Sequence, residues 1–580
     1  MKKLFSLTIL CLAIISCQDE LDIPLSSLTT DDVTPNAAFV ETLVVGAYAA
    51  QLSGGWQATE TNWTYSDVAS DDAYKGSDAT DQSDITQFET WNTLPSNGFL
   101  DSKWTILYEG ISRVNAAIVV IQNAIESGDL SEAEANPALG EVLFLRAHYH
   151  FEARKIFGNI PYIIETTTEA PDNTIDSWPL IEADMETAIS LLTEDVGNNG
   201  RANRWTAKAY MAKIHMFQLD YAAALPFLND VIDNGPYMLN PIFHDNFNAA
   251  TNNSNPEVIF AVKYAINDGA GGLAHNNSAY ANVLNYPHSN SPFGCCGFFQ
   301  PSHDLVNAYL VDPTTGLPAV GEDPISDPAL YVASVDPNDV VGTDADGNPI
   351  PRNADDATFV PETRPLDPRL DWTVGRRGIP FNGWGDFGGL LWIRDASNGG
   401  PFMAKKHVWE NSQDGTGGIT GNWGQKLTTI NHNVIRLAEV ILWRAEVAAA
   451  NGDLGTAATL VDLIRARSAD PSTFVLREDG TPAANYMLGL YTDNGGFPDQ
   501  DFAEAAIVYE HRLEMAMEGH RFFDLARRGL LMETMNSYVN RPQFRGYLTN
   551  ATFVAGREIY PIPTDISDLS NGAFTQNPSY

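Results

Sequence analysis

The sequence predicts a mainly α-helical protein with tetratricopeptide-like helical hairpins and a long loop-rich part that carries short strands. Three observations predict this fold class. Helical hydrophobic spacing recurs in four regions, and two of those regions superpose on each other without a gap. The stretch from roughly 236 to 430 is instead rich in glycine, proline, asparagine and aspartate.

The first residues have the order of a bacterial export signal. Lys2 and Lys3 precede an apolar run over 4–15, and Ser16-Cys17 closes that run. A small residue directly before a cysteine resembles a lipobox, so Cys17 is the predicted acylation site; a plain secretory signal is the alternative. We therefore expect a signal peptide over 1–16, a lipidated tether over 17–32 and a single body over 33–580.

The first long helical pattern ends in the string EVLFLRAHYHFEARKIF over 141–157. Phe144, Ala147 and Phe151 fall at i, i+3 and i+7, which places them on one helix face. Gly158 and Pro161 then end the pattern. This segment and the residues before it predict a helical pair over 104–157.

Two further helical pairs are related by internal similarity. Aligning Asp220 with Asp453 superposes two helix-turn-helix stretches, and in each an alanine precedes another by twelve residues across the turn. The alanine pairs are Ala212 with Ala224 and Ala445 with Ala457. Small residues at both places allow paired helices to approach closely, which is typical of tetratricopeptide hairpins. A fourth pair is predicted at 502–536.

Between these helices the chain changes character. Short hydrophobic runs such as EVIFAVK over 257–263 predict strands within otherwise loop-like sequence. Loops of this total length in a compact protein usually carry function. We therefore expect helices to form the scaffold and loops to form the functional site.

Charge and motif content exclude several classes of function. The chain has 34 basic and 74 acidic residues, with a net charge of -40, so a nucleic-acid partner is not expected. The sequence has no G-x-S-x-G elbow, no G-x-G-x-x-G, no P-loop and no H-E-x-x-H. The acidic run from Asp71 to Asp84 lacks the residue order of an EF-hand. We predict no enzymatic activity, no cofactor and no metal site.

Several long motifs stand in order along the chain: FLRAHYHFEARKIFGNIPYI (144–163), VIRLAEVILWRAEVAAANGD (434–453), YEHRLEMAMEGHRFFDLARRG (509–529), YPIP (560–563) and QNPSY (576–580). Together they resemble the RagB/SusD family of polysaccharide-utilisation lipoproteins. The resemblance implies a SusD-like fold, with about four tetratricopeptide-like hairpins packed against a loop-rich half. It divides the body into a part over about 33–235 and a part over about 236–580.

The resemblance also implies a function and its partners. Members bind oligosaccharide or polysaccharide at the cell surface and deliver it to a SusC-like TonB-dependent transporter. The expected location is the cell outer membrane, to which the N-terminal lipid attaches the chain. Two other functions stay open: a secreted glycoside hydrolase on a helical scaffold, and a tetratricopeptide-type scaffold that binds proteins.

Aromatic residues in or near loops are the candidate glycan contacts. Sugar rings stack their C–H faces on indole and phenol rings, while amides and carboxylates bond the hydroxyls. The candidates are Trp63, Trp91, Tyr280, Tyr286, Phe298, Trp384 and Trp392. Trp384 is the strongest, because Gly383 and Gly385 flank it and a core role does not explain such a setting.

Adjacent cysteines stand in the loop SPFGCCGFFQP. We expect Cys295 and Cys296 to form a vicinal disulfide that rigidifies an aromatic loop at the glycan site, since an oxidising surface favours pairing. Two reduced thiols packed as small apolar residues are the alternative. Zinc binding is the least expected, because adjacent cysteines suit tetrahedral ligation poorly.

Charged residues suggest two further expectations. The signature acids Glu510, Glu514, Glu518 and Asp524 stand at helical spacings from Arg512, Arg521 and Arg527, which predicts a structural ion-pair network. The overall acidity favours a neutral glycan. An anionic glycan stays open because Arg364, Arg369, Arg376 and Arg377 cluster in one stretch.

Overall fold

The computed structural model describes residues 36–52, 55–168, 171–195, 197–267, 282–318, 362–540 and 547–580. The α-helices are α1 (Ala37–Ala49), α2 (Thr86–Glu89), α3 (Gly98–Ser127), α4 (Glu132–Phe157), α5 (Trp178–Leu191), α6 (Arg204–Phe217), α7 (Tyr221–Asn234), α8 (His303–Ala308), α9 (Leu370–Thr373), α10 (Ala396–Gly399), α11 (Leu437–Ala450), α12 (Leu454–Ala469), α13 (Gln500–Met515), α14 (Arg521–Arg527), α15 (Leu531–Asn540) and α16 (Thr564–Leu569). The strands are β1 (Ala73–Gly76), β2 (Val258–Val262), β3 (Phe298–Pro301), β4 (Val374–Gly375), β5 (Met403–Ala404), β6 (Gly418–Thr420), β7 (Lys426–Thr428) and β8 (His432–Arg436).

The predicted pair over 104–157 is the hairpin of α3 and α4, which pack along each other. Ser131 begins α4 with a capping box, in which its side chain accepts from the Glu134 amide and the Glu134 carboxylate accepts from the Ser131 amide. Helix α4 ends at Gly158, as predicted, and Gly158 adopts a positive φ. Helix α3 is long and apolar enough to cross a membrane, but 61% of its most apolar window is buried in the protein, as in a core helix.

The two similar stretches form equivalent hairpins, α6–α7 and α11–α12. Asp220 caps α7 by accepting from the Ala223 amide at 3.0 Å, and Asp453 caps α12 by accepting from the Thr456 amide at 3.1 Å. All four aligned alanines are fully buried. The alignment therefore predicted both the start of each second helix and the close approach of the paired helices.

The region predicted as a fourth pair is helical but interrupted. Helix α13 ends at Met515, and α14 begins only at Arg521, after a turn that contains Met517 and Gly519 at positive φ. Helix α13 packs against α11 and α12, so it extends the row of hairpins. The mainly helical fold class is confirmed.

The strands in the described residues form four separate two-stranded antiparallel sheets. The run 257–263 contains β2, which pairs with β8 in a register that sets Val258 opposite Arg436. Strand β8 continues directly into α11. This small sheet therefore joins the loop-rich part to the helical scaffold.

Three hydrophobic clusters form the interior of the described residues, the smallest of them made by Ile379, Val475 and Ala483. The main core draws residues from both parts of the body, from Val40 in α1 to Ile562 near the C-terminus. A smaller aromatic cluster lies in the loop-rich part and includes Tyr286, Phe293, Phe381, Phe387, Trp392 and Trp409, with Trp384 packed against it. The loops that surround this aromatic cluster hold the candidate site.

Candidate functional site

Six of the seven aromatic residues predicted to contact sugar lie within the described residues, in two different surroundings. Three belong to the aromatic cluster, namely Tyr286, Trp384 and Trp392. Three belong to the main core, namely Trp63, Trp91 and Phe298. The seventh, Tyr280, lies outside the described residues, as does Cys17.

Five of the six described candidates are packing residues. Their exposed fractions are 3% for Trp63, 6% for Trp91, 0% for Tyr286, 1% for Phe298 and 9% for Trp392. Their polar atoms are also used internally: Tyr286 donates to the His407 carbonyl at 3.1 Å, and Trp91 donates to the Ala69 carbonyl at 2.8 Å. None of these rings has a free face for a sugar, so we assign the five to the interior instead.

Trp384 is the candidate that stays near the surface. It is half-buried, its ring centroid lies 4.9 Å from that of Phe293, and its Nε1 donates to the Trp409 carbonyl at 3.0 Å. The turn that carries it needs positive φ at Gly383 and Gly385, which only glycine adopts without strain. The glycines that flank Trp384 therefore hold an indole at the edge of the aromatic cluster.

The loop with the adjacent cysteines lies beside this turn. Cys295 and Cys296 are paired in a disulfide. The Ser291 hydroxyl accepts from the amides of Phe293 and Gly294, at 3.2 and 3.1 Å. Phe293 packs on Trp384 and stands two residues before Cys295 in the chain. The loop therefore connects the Trp384 turn to the disulfide.

Trp423 is a surface aromatic residue that was not among the predicted contacts. It is 53% exposed in the turn between β6 and β7, where its amide donates to the Gln425 Oε1 at 2.9 Å. A Cβ placed on Gly424 would lie 3.9 Å from the Cβ of Cys295, so this turn adjoins the disulfide. A glycine follows Trp423 directly, as one follows Trp384, and this pattern in the sequence could have indicated a tryptophan in a surface turn.

We call the surface formed by Trp384, Cys295 and Trp423, with the buried ring of Phe293 packed against Trp384, the aromatic loop face. Polar groups lie at its border. Arg394 pairs with Asp78 at 2.6 Å and with Asp81, and a Cβ on Gly297, next to the disulfide, would lie 3.5 Å from the Cβ of Arg394. Hydrogen bonds from Thr80 are the main reason that the pKa of Asp78 falls to about 2.

His288 supplies a neutral polar group at the same border. A Cβ on Gly297 would lie 3.4 Å from the Cβ of His288. Burial, helped by the charge of Arg394, lowers the pKa of His288. A neutral imidazole both donates and accepts hydrogen bonds, so this border can bond sugar hydroxyls while the indoles stack on a sugar ring.

The arginine-rich stretch does not form an exposed basic patch. Three of its members pair with carboxylates, namely Arg364 with Glu362, Arg369 with Asp367 and Arg376 with Asp371. Arg377 is buried. The arginine cluster, which was the reason to consider an anionic glycan, therefore does not support one in the structure.

The signature acids form a buried ion-pair network, but mostly with distant arginines. The Glu514 carboxylate pairs with Arg436 at 2.6 Å, with Arg369 at 3.1 Å and with Arg467. Burial alone would raise the pKa of Glu514, but the three guanidinium charges hold it well below its ordinary value. Of the predicted helical-spacing pairs, Asp524 with Arg527 is present at i, i+3.

Two acids at the start of the run over 71–84, Asp71 and Asp72, form a second group of buried ion pairs. Arg512 pairs with Asp72 at 2.7 Å, and Arg521 pairs with Asp71 at 2.9 Å. These contacts tie α13 and α14 to the segment that leads into β1. Within the described residues, no group of three histidine, cysteine, aspartate or glutamate side chains is arranged to hold a metal ion.

Comparison with known families matches most of the chain to two family models. The model described as the SusD family matches residues 256–580, and the model described as "Starch-binding associating with outer membrane" matches residues 24–216. A similar curated protein is SusD-like protein P2 of Formosa agariphila, at 22% identity over 99% of this chain and 98% of that protein.

Solved structures share the fold at low sequence identity. A laminarin-binding SusD-like protein superposes with a TM-score of 0.64 at 21% identity, covering 94% of this chain and 100% of that chain. Surface glycan-binding protein A from Bacteroides thetaiotaomicron, in complex with laminarihexaose, has a TM-score of 0.64 at 18% identity, covering the same shares. Because the SusD family model alone matches more than half of the residues, the chain belongs to the SusD family.

Proposed function

We propose that the chain binds a soluble oligosaccharide or polysaccharide on the aromatic loop face and does not cleave it. The observation that carries the proposal is a pair of tryptophans next to the disulfide loop: Trp384 packs on Phe293 of that loop, and the exposed Trp423 precedes Gly424, which lies close to Cys295. Flat aromatic rings bordered by carboxylate and imidazole groups suit the two faces of a pyranose. The laminarin and laminarihexaose named for two proteins of the same fold support this class of ligand.

The chain's place in uptake follows from its family. We propose that it is a lipoprotein of the cell outer membrane that delivers its glycan to a SusC-like TonB-dependent transporter. The family description that names association with the outer membrane supports this location. The disulfide between Cys295 and Cys296 would restrict the loop beneath Trp384 and so present the face in a fixed form.

Lipid attachment at Cys17 is tested by substitution and cell fractionation. We expect Cys17→Ala to release the protein from the membrane fraction, because one diacylated cysteine supplies the anchor. Cys11→Ala is the matched control, since Cys11 lies within the predicted signal peptide. The Cys11→Ala protein should stay in the membrane fraction. Continued membrane retention of Cys17→Ala would contradict the proposal.

The charge of the chain predicts a preference for neutral glycans. A net charge of -40 repels polyanions over about 10 Å in 0.1 M salt, and the arginine stretch that could offset it is internally paired. An array of neutral β-glucan, mannan and xylan beside alginate and carrageenan should give signal on the neutral set. Binding confined to alginate or carrageenan would reverse this preference, and release of reducing ends would favour a hydrolase.

A further inference from the structure

A cleft adjoins the turn that carries Trp384. Its volume is about 570 Å³, within the usual range for ligand sites. Two residues of the Trp384 turn, Asn382 and Gly383, form part of its wall. Gly383 directly precedes Trp384, so a glycan that lies on Trp384 would also contact the mouth of this cleft. The other lining side chains include Trp372, Lys405, Glu410, Asn411 and Ser412.

Asn382 supplies an unused acceptor in this wall. The residue is 7% exposed, and its Nδ2 donates to the Val408 carbonyl at 2.7 Å. Its Oδ1 is buried and has no hydrogen-bond partner among the described residues. A buried acceptor without a partner costs roughly 1–3 kcal/mol. Because Oδ1 is shielded in this structure, a ligand hydroxyl would reach it only after a shift of the side chain or the wall, and the bond formed would recover this cost.

Lys405 supplies a donor. It is 1% exposed, and its Nζ donates to the carbonyls of Asp371 at 2.6 Å and Pro380 at 2.7 Å. A lysine ammonium has three N–H groups, so two backbone contacts leave one available. Burial lowers the pKa of Lys405 to about 7, partly offset by Asp371. The ammonium form therefore offers a ligand one donor, whereas the neutral amine uses both of its N–H groups on the two carbonyls and offers its lone pair as an acceptor.

Glu410 supplies a second acceptor at the mouth. Its side chain is 34% exposed, its Oε1 accepts from the Asn248 Nδ2 at 3.0 Å, and its Oε2 accepts from the Ser412 hydroxyl at 3.2 Å. The Glu410 carboxylate also lies 3.3 Å from the His244 Nε2. These contacts hold the carboxylate in place and leave lone pairs for a ligand.

Trp372 does not offer this cleft an open stacking face. His244 stacks on the indole with ring centroids 4.5 Å apart and an angle of 19°. The Lys405 ammonium lies 5.0 Å from the centroid of the same indole. Recognition in the cleft therefore depends on hydrogen bonds, whereas recognition on the aromatic loop face depends on stacking.

We infer that the cleft is a second subsite, which takes one glycosyl unit of the chain bound on Trp384 and selects it by its hydroxyl pattern through Asn382, Lys405 and Glu410. The inference rests on the proposed function. Sites built from buried polar groups strongly reject ligands that lack the matching hydroxyl, because their groups are then left unpaired. Stacking on Trp384 would give affinity, and the cleft would give selectivity.

Titration calorimetry with oligosaccharides of two to six units tests the subsite. The ligands are β-1,3-gluco-, cello-, xylo- and manno-oligosaccharides. The proteins are wild type, Glu410→Gln, Ser412→Trp and, as a control, Glu504→Gln on the exposed side of α13. We expect wild type to gain about tenfold in affinity once the ligand is long enough to reach the cleft. Glu410→Gln and Ser412→Trp should remove this gain while the shortest binding ligand stays unaffected.

The outcomes separate the subsite from the function on which it rests. Ser412 is exposed, so Ser412→Trp blocks the cleft without disturbing the interior, even if Glu410→Gln folds poorly. Equal affinity of Ser412→Trp and wild type at every length would overturn the subsite alone. Absence of binding by wild type to all four series and to the glycan array would overturn the proposed function, and the subsite with it.

Discussion

Replacing Glu514 with glutamine is expected to lower the free energy of unfolding by about 3–5 kcal/mol, the range for breaking a buried ion pair by removing one partner. Glu514 is fully buried and faces the guanidinium groups of Arg369, Arg436 and Arg467. A neutral amide of the same size would leave these charges partly uncompensated in the interior. Urea unfolding followed by circular dichroism measures the change.

The matched control is Glu504→Gln, the same substitution at an exposed position of α13, which should change stability little. Acid provides a second readout, because Arg436 and Lys406 outweigh the effect of burial and lower the pKa of Glu518 from 4.5 to about 2. Because the pKa of Glu518 is lower in the folded protein than in the unfolded chain, its carboxylate stabilises the fold above pH 4.5, and this contribution is lost as the pH falls toward 2. Equal stability of Glu514→Gln and Glu504→Gln would contradict a network that holds the fold together.

Trp423→Ala is expected to weaken glycan binding by about 1–3 kcal/mol, as for an aromatic anchor at an interface. The side chain is more than half exposed, so its removal leaves the aromatic cluster intact. Trp384→Ala is expected to weaken binding by a similar amount, but it also removes the contact with Phe293. Calorimetry on both variants, with circular dichroism to verify folding, measures these losses.

The control for both variants is Trp178→Ala, which removes a half-buried tryptophan at the start of α5 in the helical scaffold. Its glycan affinity should equal that of wild type. If Trp178→Ala weakens binding and Trp423→Ala does not, the ligand lies on the helical scaffold and the assignment to the aromatic loop face is wrong.

The helical scaffold could be predicted from the sequence because its signals are local. The aligned Asp220 and Asp453 cap equivalent helices, and small buried residues recur at fixed distances from these caps. Helix α5 (Trp178–Leu191) was not among the predicted pairs. The break between α13 and α14 was also missed, since Met517 adopts a positive φ that its residue type does not indicate.

The candidate site could be predicted only in outline. Trp384 and Trp392 both stand near glycine, yet one is at the surface while the other is packed on Phe381 and Phe387. Which ring is covered depends on loops that meet from distant parts of the chain, and local sequence does not carry that information. Trp423 was missed although a glycine follows it directly, as one follows Trp384.

The ion-pair network shows the same limit. Helical spacing correctly predicted Asp524 with Arg527, but the partners of Glu514 lie 47 to 145 residues away in the sequence. Residue types indicated a network of buried charges, and only the fold determines which arginine meets which acid.

The most direct test of the central claim is a crystal structure of the protein with a neutral oligosaccharide that it binds in solution. We predict electron density for a sugar ring against Trp423 or Trp384, with hydroxyls directed toward the border around His288 and Asp78. Density confined to the helical scaffold, with the aromatic loop face empty, would contradict the account.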